Sequence, residues 1–166
     1  MMGSEQQRAQ IAAGARALIG TTDASLGFTG SANACAFMVN HILKGVFGHV
    51  FAGPTPETEG NPNFVPSLRA GLVAGGFRSF TQSANAEKGD IAVQNGLSPG
   101  TEANAFENHV GVVIEDPDGG GGLITISNST SHAAFIHRDD LEFSGIGLPS
   151  SKMGPSKFYR FKLPGE

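Results

Sequence analysis

The order of periodicities in this chain predicts an α+β fold. Apolar residues recur at helical spacing through the first half, whereas the second half holds short runs rich in Val and Ile separated by Gly-rich turns. At 166 residues and 39% hydrophobic content, the chain is long enough to bury one core without metals or disulfides. We therefore expect a single domain over residues 1–166, with its core at about 6–163. N-terminal helices should pack on an antiparallel sheet of about five strands.

Each element has its own signal. Residues 6–19 read as an amphipathic helix, with Ile11, Ala15, Leu18 and Ile19 near one face and Gly20 ending it. Residues 31–47 read as a second helix, with Asn33 or Ser31 as N-cap and Met38, Val39, Ile42 and Val46 as its apolar stripe. Residues 53–66 carry four prolines and should form an extended, exposed connection. Pro66 suits the first turn of a short third helix through Leu68, Leu72 and Val73, closed by Gly75 and Gly76. The strands follow at 89–94, 109–115, 123–128, 133–137 and 157–162, with DPDGGGG as the hairpin turn between the second and third.

Composition narrows the function classes. A net charge of −4 with no clustering of Lys and Arg argues against nucleic acid or an anionic membrane as partner. No apolar run has the length of a membrane span, and the first residues lack a signal-peptide layout. His132 and His137 have no second cysteine or carboxylate at a metal-ligand spacing, and the glycines at 119–122 lack the Lys-Ser/Thr ending of a phosphate cradle. No cofactor is therefore expected.

The remaining chemistry centres on Cys35, the one cysteine in the chain, in the first turn of the second helix. The helix dipole favours a thiolate there by roughly 0.3–1 kcal/mol, which is too little to activate it. A reactive thiol also needs an adjacent cation, usually an imidazolium. Without one, a lone cysteine on an apolar stripe is an inert small hydrophobe. His109 opens a strand at a sheet rim, and Gly111, two residues on, would leave room for the helix to approach that face. Asn128 ends the next strand on the face of Ile124 and Ile126, where it could orient the imidazole or simply cap the turn. Ser127 and His132 are alternative third members.

The ordered set ARALIG, ACAFMVNHIL, KGDIAV, NHVGVVIED, ITISNS and FYRFK, spanning residues 11–162, resembles the NlpC-type cell-wall cysteine peptidases and the related CHAP amidases. That resemblance implies a papain-like fold, with Cys35 as nucleophile, His109 as base and Asn128 as third polar member. It also implies peptidoglycan stem peptide as substrate and no cofactor. Ala34 and Ala36 flank Cys35 where the NlpC pattern often has Asp before it and Ser-Gly after it. An upstream Tyr that helps hold the oxyanion in many members has no counterpart, which leaves the Cys35 amide, with Ser31 or Asn33, for that task. The reading that follows is a monomeric thiol hydrolase, made in the cytoplasm and delivered to the periplasm or cell wall by a phage or secretion route, with a possible immunity or delivery protein as partner. A non-catalytic wall-peptide-binding module and a thiol acyltransferase are the rivals.

Overall fold

A computed structural model describes residues 3–29, 34–96, 109–129, 134–139 and 153–166. Among these it shows an α+β architecture of three α-helices and a six-stranded antiparallel sheet. The helices are α1 (Ser4–Ala17), α2 (Ala34–Phe47) and α3 (Val65–Ala74). The strands are β1 (Phe77–Phe80), β2 (Ile91–Gly96), β3 (His109–Glu115), β4 (Leu123–Ser129), β5 (Ala134–Asp139) and β6 (Met153–Phe161), arranged β1-β6-β2-β3-β4-β5. No helix among the described residues is long and apolar enough to cross a membrane.

The helices form where their apolar stripes require. α1 buries Ile11, Ala12 and Ala15, and α2 buries Cys35, Met38, Val39, Ile42 and Leu43. Both stripes close on one sheet face, which contributes Ile91, Val93, Val110, Val112, Ile114 and Ile126 to the same core. Gly14 lets α1 lie close to α2, since a Cβ there would stand 3.1 Å from the Ile42 side chain. His41, on α2, is exposed. The opposite sheet face has a smaller cluster of Ala92, Val113 and Phe158, joined by Ala86 and flanked by Phe80 and Leu123.

The KGDIAV segment is built for two close contacts. Gly89 adopts φ +90° and donates its N–H to Val113 O at 2.8 Å, and a Cβ there would run into the Arg8 carbonyl of α1. Asp90, fully buried, takes hydrogen bonds from Arg160 Nε at 2.9 Å and Nη2 at 2.7 Å, and from the Glu87 N–H at 2.8 Å. Burial pushes the Asp90 carboxyl up, while the guanidinium and the Glu87 amide pull against it. Arg160 also lies 4.7 Å over the Phe80 ring, so the ion pair ties β6 to the start of β2 and to β1 at once.

Three features depart from the sequence expectation. β1 is a sixth strand, held by pairing with β6 and by Phe77, which joins Phe47, Phe51 and Phe161 in a group of rings 4.8–6.0 Å apart. Residues 53–66 are exposed at Pro54, Pro56, Glu57, Glu59 and Asn61, as expected, but the stretch is tied down. Asn40, buried on α2, donates to Phe51 O at 3.0 Å and Pro62 O at 2.7 Å and accepts the Phe51 N–H at 2.8 Å, which fastens both ends of that stretch. Finally, the segment after α1 runs along β5, with the Gly20 N–H on Phe135 O at 3.1 Å and the Phe135 N–H on Thr21 O at 2.9 Å.

Candidate active site

Cys35 occupies the second position of α2, where the first-turn amides are unpaired within the helix. Its side chain is turned to the sheet and is 9% exposed. Burial pushes the thiol up to about 11, against the backbone N–H groups of Val110, Ala36 and Cys35 itself, which pull it down. The sulfur therefore meets β3 at the residue that follows His109.

His109 lies on the other face of that strand. Val110, Val112 and Ile114 enter the helix-side core, so alternation sends His109, Gly111 and Val113 to the opposite side, where Val113 joins Ala92 and Phe158. This corrects the expectation that His109 and Gly111 face the helix. His109 Nε2 lies 2.9 Å from Ser127 Oγ, and Ser127 pairs with Gly111 in the register. All three are buried. Ser127, not Asn128, is the group bonded to the imidazole.

Asn128 belongs to the helix side, as its shared face with Ile126 predicts. That placement turns it away from His109. Its Nδ2 reaches Asp23 Oδ2 at 3.5 Å, and its Oδ1 is buried with no hydrogen-bond partner among the described residues. Asp23, buried in the turn after α1, is a polar residue on the cysteine side that sequence reasoning passed over. Its only hint was an acidic residue just before the short helical turn Ala24–Leu26. Ser31, Asn33 and His132 lie outside the described residues.

These contacts divide the candidates between the two sides of the β3–β4 pair. Cys35, Asn128 and Asp23 stand on one side, and His109, Ser127 and Gln94 on the other. Gln94 is the direct cross-strand neighbour of His109. A surface groove between α1 and α2, lined by Gln10, Gly14, Leu18, His41, Ile42, Gly45 and Val46, includes none of these residues. Among the described residues no group of three His, Cys, Asp or Glu side chains is placed to hold a metal ion. Compared with family models, with curated proteins and with solved structures, the chain finds no match.

Proposed function

We propose that the chain is a papain-like thiol hydrolase that cleaves an amide bond in bacterial peptidoglycan stem peptide. The observation that carries this reading is a thiol in the first turn of a helix, buried against β3 at Val110, one residue along the chain from an imidazole that Ser127 holds on the other face of the strand. The resemblance in ACAFMVNHIL, KGDIAV and NHVGVVIED supplies the substrate class.

In this mechanism the resting nucleophile is a protonated thiol, and His109 acts as general base once substrate is bound. Since Ser127 holds the ring on the face away from Sγ, this step requires the His109 ring to leave that hydroxyl and turn around the end of β3, where a ring nitrogen takes the proton from Sγ. A C–S bond forms to the substrate carbonyl carbon. The C–N bond breaks as the imidazolium returns the proton to the leaving amine, and water then hydrolyses the thioester. The backbone N–H of Cys35, at the helix mouth, stabilises the oxyanion.

A second reading, a wall-peptide-binding module without turnover, is favoured by the protonated, buried thiol and by the position of His109 behind the strand. Incubation with purified peptidoglycan fragments, with products identified by mass, separates the two. Hydrolase activity gives new fragments that disappear with Cys35→Ala and with His109→Ala. Intact fragments from several wall types, identical to those in the Cys35→Ala control, refute the hydrolase.

A further inference from the structure

We propose that residues 20–28 form a strap that opens to admit a ligand to Cys35, with Gly20 and Gly27 as its hinges and the Asp23–Asn128 contact as its latch. It rests on the reading of Cys35 as the nucleophile and adds the step that brings a substrate to it, since Cys35 at 9% exposed leaves a peptide no way in. The strap is anchored on β5, β4 and α2. Its Gly20 N–H and Thr21 O bond the Phe135 backbone, and Thr22 bridges Ala134. Leu26 packs on the core cluster that contains Cys35, and the Phe28 ring lies 4.9 Å from that of Phe37, two residues beyond the cysteine on α2. Asp23 reaches Asn128 on β4. Gly111 pairs with Ser127, so Val110 and Asn128 come next along the two strands, and the Val110 amide is the one that meets the thiol.

The latch holds weakly. Asp23 is 7% exposed, yet among the described residues its carboxylate has no ion pair and one side-chain bond, from Asn128 Nδ2 at a long 3.5 Å. Asn128 Oδ1 is buried with no hydrogen-bond partner among those residues. Closure thus strips water from a charge and from an amide oxygen without replacing it, and lifting the strap restores hydration to both. The contrast is Asn40, whose three bonds of 2.7–3.0 Å fasten the 53–66 stretch. Gly20 at φ +88° and Gly27 at φ +92° bracket the moving residues. A Cβ at either would meet nothing within 4 Å, so these glycines supply backbone freedom and not room for a neighbour. Thr22, Ala24, Ser25 and Gly27 face solvent, so only the inner contacts must release.

The test is alkylation of Cys35 by iodoacetamide at pH 9, followed by peptide mass. It needs no substrate, so its failure leaves the hydrolase reading standing, and intact peptidoglycan leaves the strap standing. Thr22→Cys/Ala134→Cys puts two thiols across the antiparallel bridge, at a Cα spacing of about 4.5–5.5 Å that a disulfide spans. Oxidised, with the pairing confirmed by the same mass map, this variant should alkylate Cys35 at least about tenfold more slowly than wild type, and reduction should restore the rate to within about twofold. Asp23→Asn decides the matter if the cross-link does not form. Its carboxamide removes the buried charge and can donate to Asn128 Oδ1, so the latch tightens and alkylation should slow about threefold or more, whereas Asp23→Ala, with no latch, should quicken it about as much. Equal Cys35 rates in the oxidised and reduced cross-linked protein, or in Asp23→Asn and Asp23→Ala, overturn the proposal.

Discussion

The raised thiol of Cys35 makes a quantitative prediction about its reactivity. At pH 7, a thiol titrating at about 11 is about one part in 10⁴ thiolate, against about three parts in 100 for a free cysteine near 8.5. That is about 300-fold less nucleophile. The more basic sulfur regains about 10–20-fold in intrinsic reactivity at a Brønsted slope of about 0.4–0.5. Exchange with a small aromatic disulfide should therefore run about 15–30-fold slower than for an unstructured cysteine peptide, and slower still because Cys35 is only 9% exposed. The rate should climb about tenfold per pH unit between pH 8 and 10 with no plateau. Stopped-flow absorbance against pH, with Cys35→Ala as blank, measures it. A fast plateau below pH 8 that vanishes in His109→Ala would show a preformed imidazolium–thiolate pair, and burial would then not govern this thiol.

The same group makes stability depend on alkali. Folding favours the protonated thiol, so its stabilisation is complete below about pH 9 and is lost as pH rises toward 11. Over that window wild type should lose about 3 kcal/mol relative to Cys35→Ala in urea unfolding, and parallel curves would contradict this. Replacing Asp90 by Ala leaves Arg160 largely buried without its main partner, and unfolding free energy should fall by about 3–5 kcal/mol. The double variant Asp90→Ala/Arg160→Met should recover most of that, and a loss below about 1 kcal/mol in the single variant would mean the pair is dispensable. Gly89→Ala must adopt a left-handed backbone against the Arg8 carbonyl. It should cost about 2 kcal/mol or more by thermal unfolding, whereas Gly119→Ala, at φ +78° with open space around it, should cost only the backbone part, about 1–2 kcal/mol.

The helix of Cys35 was legible because Met38, Val39 and Ile42 repeat at one helical face, and β3 and β4 because their β-branched runs are bounded by DPDGGGG. Which face of β3 meets the helix was not legible. His109 through Ile114 are all buried, so neither face carries the polar marking that alternation needs. The helix took the side with Val110, Val112 and Ile114, whose bulk fills a core better than that of Gly111. Ser127 was only one of two fallback partners for the imidazole, since one residue of register decides whether Ser127 or Asn128 shares its face. β1 offered four residues including an exposed Arg78, too short to show a period, and exists through β6 and Phe77. The Asp90–Arg160 pair joins segments far apart in sequence, and only the insertion of β6 between β1 and β2 makes them neighbours. Asn40 did leave a sign, a carboxamide on the inward side of an otherwise apolar helix.

The two borders of the sheet are blunted in different ways. One border strand is four residues long and displays a charged side chain, and the other is covered at its first two residues, Ala134 and Phe135, by the Gly20–Thr22 stretch, whose amide and carbonyl bond the Phe135 backbone. A neighbouring copy trying to template itself onto either rim therefore meets a short ledge or an occupied one. These devices disfavour strand addition at the places they cover, and peeling the Gly20–Thr22 stretch away would expose the Phe135 backbone to a neighbour.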